Sequence, residues 1–337
     1  MTVLVDPPAW PAHGRLWSHL VSDESLHELR SFARAHGIGD RAFDLDHYDV
    51  PDERHDALVS AGAVPVDGRE LARRLAGSGL RVPGRERRRA SRGALAGRWA
   101  ALWRPDDAAR AVIDGAGADL VARWREPHRV YHSRLHLADA LDALDLLLAD
   151  GAPGSGWHAA VALWFHDAVH DGEAGRDEQR SAALAGDLLG PLVGRARPAA
   201  PTAAPGPVGA LTGDDVAEVA RLVLVTTDHA PGADDPAGAL LSDADLAMLG
   251  GSPARYARYA AQVRAEYGHV PDDAFRAGRA TVLDQLLELA AGPGLFRTDA
   301  GRLRWADAAR LNLRTERAAL RAAPTPPSPS RPGTRAG

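Results

Sequence analysis

Hydrophobic and polar positions divide the chain into a short part with mixed strand and helix signals and a longer helical part. Short β-branched or apolar runs predict strands at 2–5, 42–46 and 63–66. Amphipathic stretches with helix start and stop residues predict helices at 22–37, 51–61 and 68–76. This alternating order favours a small parallel sheet, so we expect an N-terminal α/β domain.

From about residue 95 onward, apolar positions recur almost everywhere at helical spacing. Leu137, Leu141, Leu144 and Leu148 form one stripe, and the segment 157–169 is apolar enough to be a buried helix. Further helices are expected at 216–227, 244–249, 253–267, 272–291 and 305–321. The pattern therefore predicts an all-α second domain.

Composition marks the boundaries between these parts. We predict an α/β domain at 1–82, an Arg-rich linker at 83–98 and an all-α domain at 99–322, with a Pro/Ala-rich surface insertion at about 191–213 and a disordered tail at 323–337. The Arg-rich segment is interpreted as a solvated linker in preference to a nucleic-acid patch, because it lacks interleaved aromatic residues.

Composition also excludes several kinds of chemistry. The 337 residues contain no cysteine, which excludes disulfides, thiolate metal sites and a cysteine nucleophile. The net charge of −5 gives no general attraction for nucleic acid, so no nucleic-acid partner is expected. No apolar run approaches membrane-spanning length, and the first residues lack the pattern of a secretory signal. We expect a soluble, cytoplasmic protein without a membrane partner.

Histidines and acids with metal-ligand character concentrate in the helical part. His132 and His136 are four residues apart and share a helix face, and His166-Asp167 stands inside an apolar stretch. A third apolar stretch, 240–249, carries two more acids. Buried ionisable groups need a partner, and a divalent metal is one. Taken alone, the same residues also fit solvated or core histidines and a helix N-cap.

Imidazole nitrogens and carboxylate oxygens are suitable ligands for Mn, Fe, Co, Ni or Zn, with water in the open positions. Such an ion lowers the pKa of a bound water and polarises a phosphoryl oxygen. A histidine-rich site without thiolates is more typical of catalysis than of a structural role.

The helical part also resembles a known family, the HD superfamily of metal-dependent phosphohydrolases. The resemblance covers about 95–322, and its matching stretches are 127–136, 164–171, 177–182, 227–229, 241–250, 263–267 and 312–313. It implies an all-α helical bundle with the metal held between helices. It also implies a metal-activated water that hydrolyses a small phosphate ester or a nucleotide.

The family pattern is a histidine, then a His-Asp pair, then an aspartate. Carried over to this sequence, it implies the metal ligands His136, His166, Asp167 and Asp245. Asp243 stands two residues before Asp245 and remains an alternative or additional ligand. The ion itself, one of Mn, Co, Ni, Fe, Mg or Zn, is left open.

Other residues receive supporting roles, the histidines from the resemblance and the acids and arginines from their chemistry and position. His132 is expected beside the ligands or facing phosphate, and His170 and His229 are the candidates for a second metal, although one metal is favoured. The candidate catalytic acids, which alternatively are solvated loop residues, are Asp167, Asp171 and Glu178. The candidate phosphate-binding residues, which alternatively are surface arginines, are Arg129, Arg134 and Arg180.

Two other functions stay open at this point. Some two-metal relatives of this fold are iron oxygenases, which makes a di-iron oxygenase the second possibility. The third is a sensor that binds a nucleotide without turnover and signals to the N-terminal domain. The oligomeric state is not predicted.

The N-terminal domain (1–82) resembles a second family, the domain of unknown function 4031, through 3–8, 10–11, 13–14, 16–20, 22–23 and 43–51. This family brings no activity with it. In a parallel sheet, polar residues that follow successive strands meet at one edge, where α/β proteins bind ligands. We therefore expect either a purely structural domain or a small-ligand or nucleotide pocket built from Asp6, His13, Trp17, His19, Asp46 and His47.

Overall fold

A computed structural model of the protein describes residues 2–104, 107–173, 175–196, 198–199, 209–292 and 294–322. A small α/β region comes first and a mostly helical region follows, as predicted from the sequence. The predicted tail at 323–337 lies outside the described residues, as does the middle of the predicted insertion, 200–208.

The N-terminal sheet has five strands: β1 (Val3–Val5), β2 (Trp10–Ala12), β3 (Arg15–Ser22), β4 (Tyr48–Pro51) and β5 (Val64–Pro65). β3 is the central strand and pairs antiparallel with β1, β2 and β4. The β1–β5 pair is parallel, so the sheet is mixed.

The prediction of a parallel sheet was therefore wrong, because the sequence analysis missed β3. β2 and β3 form a hairpin around His13 and Gly14, whose φ angles are 51° and 76°. Positive φ at both central residues is the geometry of a two-residue type I′ turn, which reverses the chain directly. The prediction of a strand at 42–46 was also wrong, because the strand in this part of the chain is β4, which begins at Tyr48.

Three helices flank this sheet. They are α1 (Leu26–Ala35), α2 (Asp52–Ser60) and α3 (Gly68–Gly77). The second and third follow the predicted bounds within one residue, whereas the first begins four residues later than predicted, because the chain up to Ser22 belongs to β3. Ser25 and Asp67 cap α1 and α3 by accepting backbone N–H groups of the first turn. Gly37, with φ 70°, follows the end of α1 and allows the chain to turn away.

The Arg-rich segment forms two helices, α4 (Gly84–Arg89) and α5 (Arg92–Ala101), where a solvated linker was expected. Arg89 binds the carboxylates of Asp139 and Asp142, and Arg98 binds those of Asp142 and Asp145. The three acids recur every third residue along one helix, so they face the arginines together. The segment thus packs against the helical region.

The helical region contains α6 (Asp107–Arg123), α7 (Arg134–Ala149), α8 (Gly156–Phe165), α9 (Arg176–Leu189), α10 (Gly213–Val225), α11 (Pro236–Leu246), α12 (Pro253–Glu266), α13 (Asp272–Ala291) and α14 (Asp299–Ala322). α8 is buried along its whole length between α7, α10 and α11. No helix in the described part of the chain has both the length and the apolar character needed to cross a membrane.

The two regions are in direct contact. Val130, which precedes α7, packs into the apolar core of the N-terminal region. Arg30 of α1 donates hydrogen bonds to the carbonyl oxygens of Pro127 and Arg129, at 2.6 and 3.2 Å. Arg134, at the start of α7, binds the carboxylate of Asp44. The N-terminal region thus braces the segment that leads into α7.

Candidate metal centre

Three helical elements bring together two histidines and two aspartates that the sequence analysis singled out. His136 lies in the first turn of α7, His166 and Asp167 follow the end of α8, and Asp245 lies near the end of α11. Nε2 of His136 is 3.1 Å from Nε2 of His166 and 3.0 Å from Oδ1 of Asp245. Oδ2 of Asp167 is 3.2 Å from Nε2 of His166.

Ligand atoms of His136, His166 and Asp245 lie within 4.8 Å of one another, and Oδ2 of Asp167 is 3.8 Å from Nε2 of His136. Most of these separations are close to those between the donor atoms of a metal site. Donors bound to one ion at about 2.1 Å lie about 3 to 3.5 Å apart. Nδ1 of His166 is 2.9 Å from the carbonyl oxygen of Leu163, to which it donates a hydrogen bond, so its Nε2 presents a lone pair to the centre. The ring of Trp124 packs against both imidazoles and limits their rotation.

The centre attracts positive charge. Burial by itself lowers the pKa of His166, but the carboxylates of Asp167 and Asp245 outweigh it and raise this pKa well above its usual value. Burial by itself raises the pKa of Asp245, but His166 and His136 hold this pKa well below its usual value. Two buried imidazoles facing two carboxylates are therefore well suited to a divalent cation.

Asp243 and Asp245 have different partners in the structure. Asp243 is fully buried and accepts hydrogen bonds from the backbone N–H groups of Arg297 and Thr298 and from the Thr298 hydroxyl, at 2.7 to 2.8 Å. Its carboxylate thus holds the start of α14. Asp245 is the aspartate that faces His136 and His166.

A second group with metal-ligand character lies beside the first and consists of His132, His170 and Glu266. Oε1 of Glu266 is 2.5 Å from Nδ1 of His132 and 3.3 Å from Nε2 of His170. Its Oε2 accepts the backbone N–H groups of three successive residues, 130–132. Glu266 has no role among the sequence predictions, although it lies within a stretch that resembles the HD family.

A cavity of about 530 Å³ opens beside both groups. His132, His170 and His229 line it together with Asp167 and Asp245. The remaining lining is largely apolar and aromatic, and includes Leu249, Tyr259, Val263, Tyr267 and Phe275. Nε2 of His229 is 3.7 Å from Oδ2 of Asp245, next to the proposed ligands.

The candidate catalytic acids beyond Asp167 are both engaged in the loop that leads into α9. Glu178 lines the cavity, and its Oε2 accepts the N–H of Gly175 at 2.6 Å. Asp171 has a side chain that is more than half exposed and pairs with Arg180 at 3.1 Å.

The candidate phosphate-binding arginines lie around the centre without lining the cavity beside it. Arg129 is buried and donates to the carbonyl oxygens of Asp167 and Ala168. Arg134 pairs with Asp44, and Arg180 pairs with acids of the α8–α9 loop. Arg129 therefore positions the ligand-bearing loop through its backbone.

Four of the six predicted N-terminal pocket residues converge on the sheet, namely Asp6, His19, Asp46 and His47. Asp49, which the sequence analysis did not single out, completes a group with His19 and His47. Burial by itself lowers the pKa of His47, but Asp46 and Asp49 raise it to about 9.

The other two predicted pocket residues take different places. His13 is exposed in the β2–β3 turn. Trp17 donates from its indole nitrogen to the carbonyl oxygen of Ala12, across the same hairpin.

Residues 3–78 match a family model described as "Protein of unknown function (DUF4031)". This match confirms the resemblance predicted for the N-terminal domain. Neither the search of curated proteins nor the search of solved structures gave a match. The resemblance of the helical region to the HD superfamily stays a prediction.

Proposed function

We propose that this protein is a metal-dependent phosphohydrolase of the HD type, which hydrolyses a small phosphate ester or a nucleotide. The observation that carries the proposal is the convergence of His136, His166, Asp167 and Asp245 beside an open cavity. Their donor atoms come from three separate helical elements, and local chain geometry alone does not explain this meeting.

When bound, a divalent ion supplies an activated water and an electrostatic partner for a phosphoryl oxygen. The protein contributes a preorganised ligand set, since the carbonyl of Leu163 fixes the ring of His166 and Trp124 supports both imidazoles. The aromatic lining of the cavity offers apolar surface to the part of the substrate that carries the phosphate.

His132 and His170 are the proposed proton carriers for the leaving group. Both line the cavity, and both imidazoles contact the carboxylate of Glu266. Burial by itself lowers the pKa of His170, but Glu266 and Asp167 together raise it. A protonated imidazole in this place provides the general acid that loss of an alkoxide requires.

The same imidazoles are the available donors for the phosphate oxygens. Arg279 lines the cavity, but its guanidinium already binds Glu316 and the hydroxyl of Tyr259. We therefore assign contacts with phosphate oxygens to His132, His170 and His229.

The test compares the full-length protein with Asp167→Ala, both purified without chelator. Metal content and phosphate release are measured together, on nucleotides and phosphate esters with added Mn, Co, Ni, Mg or Zn. We expect metal-dependent turnover in the wild type. In Asp167→Ala we expect loss of turnover together with loss of the metal bound at the helical site. Asp187→Ala, an exposed acid of α9, is the matched control and is expected to retain both.

Metal that is retained by the wild type without phosphate release from any substrate would contradict hydrolysis and favour the nucleotide sensor. Unchanged metal content in Asp167→Ala would contradict the ligand assignment.

A di-iron oxygenase is a second candidate, and the group of His132, His170 and Glu266 beside the first site favours it. Two neighbouring ligand groups of nitrogen and oxygen donors are suited to two iron ions. This alternative predicts about two iron ions per chain at the paired sites and oxygen consumption without phosphate release. A Glu266→Gln variant that keeps its activity would argue against it.

A further inference from the structure

The N-terminal sheet brings two histidines and an aspartate to one point. β3 and β4 pair so that His19 stands directly opposite Asp49, and His47 immediately precedes β4. Ligand atoms of the three side chains lie within 4.8 Å of one another. Oδ1 of Asp49 is 3.5 Å from Nε2 of His47 and 4.0 Å from Nε2 of His19.

A buried carboxylate contacts the Nδ1 atom of each imidazole. Nδ1 of His19 is 3.0 Å from Oδ2 of Asp6, and Nδ1 of His47 is 2.6 Å from Oδ1 of Asp46. Asp6 and Asp46 are 3% and 0% exposed, respectively. With both Nδ1 atoms engaged, both Nε2 atoms are directed toward Asp49. A carboxylate behind each histidine is the usual support of a metal-binding imidazole.

Backbone contacts fix these two supporting carboxylates. Asp6 also accepts the backbone N–H of His19, and Asp46 accepts that of Val82, both at 2.5 Å. Arg87 of α4 approaches Asp46 at 3.2 Å and offsets one charge. An ion at this point would replace the proton that the carboxylates favour on His47. With both imidazoles then neutral, three carboxylates and one guanidinium leave two negative charges, which a divalent cation would balance.

The group is accessible from solvent. The side chain of Asp49 is 48% exposed and that of His19 is 28% exposed, whereas His47 is largely buried. The indole of Trp10, itself exposed, stands edge-on to His19 at 5.4 Å between ring centroids. An ion can therefore enter beside Asp49 without opening the core.

We propose that His19, His47 and Asp49 form a second divalent-metal site, separate from the one between the helices. Two imidazoles and a carboxylate suit Zn, Co or Ni, and three protein ligands leave coordination positions open to water or a small anionic ligand. Asp6 and Asp46 act as positioning residues. This proposal does not depend on the hydrolase, because none of its residues belongs to the helical site.

The test measures cobalt binding to the full-length chain by equilibrium dialysis and by visible absorption. The background is the double variant Asp167→Ala/Glu266→Gln, which removes a ligand from each of the two groups in the helical region. In this double variant we expect one tight equivalent of cobalt to remain. Adding Asp49→Asn should abolish it, and adding Asp6→Asn should weaken binding by about 10–100-fold. Asp49 is half-exposed, so its replacement should leave the fold intact, which circular dichroism verifies.

His27→Gln, an exposed histidine of α1, is the matched control and should leave cobalt binding unchanged. The proposal is overturned if the double variant binds no cobalt, or if its remaining equivalent survives Asp49→Asn. Failure of the hydrolase assay alone would leave this cobalt titration unaffected, so the two proposals fail separately.

Discussion

At the scale of single residues, Asp243 and Asp245 show how two nearby acids acquire unrelated roles. Residues two positions apart on a helix point about 200° away from each other. One side of α11 therefore presents Asp245 to the imidazoles, and the other presents Asp243 to the start of α14. Neither role is visible in the sequence Asp-Ala-Asp, where both acids adjoin Ala244.

This division predicts opposite effects of two substitutions. Asp243→Ala removes the acceptor of two buried N–H groups and a hydroxyl, so we expect it to lower the free energy of unfolding by about 2–4 kcal/mol. Metal content should stay at the wild-type level. Asp245→Asn should lose the metal bound at the helical site, because it removes the carboxylate that faces His136 and His166.

Urea unfolding in the presence of a chelator measures the stability of each variant. Elemental analysis of the protein purified without chelator measures its metal content. Loss of metal in Asp243→Ala at unchanged stability would reverse the assignment.

At the scale of elements, the loop between α8 and α9 depends on one carboxylate. Oδ2 of Asp177, in the first turn of α9, accepts the backbone N–H groups of Asp171, Gly172 and Glu173 at 2.8 to 2.9 Å. This fixes the chain a few residues after Asp167. Burial by itself raises the pKa of Asp177, but these N–H groups and Arg180 lower it below its usual value.

The lowered pKa predicts a defined pH dependence. A carboxyl whose pKa is lower in the folded state contributes its stability above the unfolded pKa, about 3.9, and loses it as the pH falls further. We expect wild type to exceed Asp177→Asn by about 1–2 kcal/mol near neutral pH, and the gap to shrink below about pH 4. Urea unfolding of both proteins across this range tests it. A gap that persists unchanged in acid would contradict the role of this ionised carboxylate.

At the scale of the whole molecule, the N-terminal region supports the segment that carries the histidines of the helical site. Arg30 of α1 is buried and binds two backbone carbonyls of the stretch that leads to His132 and His136. Val130, in the same stretch, is inserted into the N-terminal core. Direct contacts therefore connect the α/β region with the segment that leads into the metal centre.

We expect Arg30→Ala to lower the free energy of unfolding by about 2–3 kcal/mol, because it leaves two carbonyl groups without their partner. It should also weaken metal binding at the helical site, because the stretch before α7 loses its hydrogen bonds to α1. Arg34 is an exposed arginine of the same helix, and Arg34→Ala should change neither stability nor metal binding. Calorimetry measures the stability of both variants, and cobalt titration measures their metal binding. Equal behaviour of the two variants would exclude this coupling.

Local sequence signals determined much of the fold. The start predicted for α1 at residue 22 was wrong, since Ser25 caps this helix. The periodicity of leucines, however, predicted α7, and the Pro-Asp-Glu start signal predicted α2. These elements depend on interactions between residues three or four positions apart, which a sequence displays directly. The histidines and acids of the candidate centre were selected through the resemblance to the HD superfamily as well as their apolar setting.

Only the tertiary structure decided how these elements meet. The sheet became mixed because the His13-Gly14 turn reversed the chain earlier than the apolar pattern indicated. That antiparallel register placed Asp49 opposite His19, and the packing of α12 placed Glu266 beside His132. Such pairings join residues far apart in sequence, and no local periodicity encodes them. The sequence by itself therefore determined the helices and the kinds of metal-binding side chain, whereas long-range packing decided which side chains share a site.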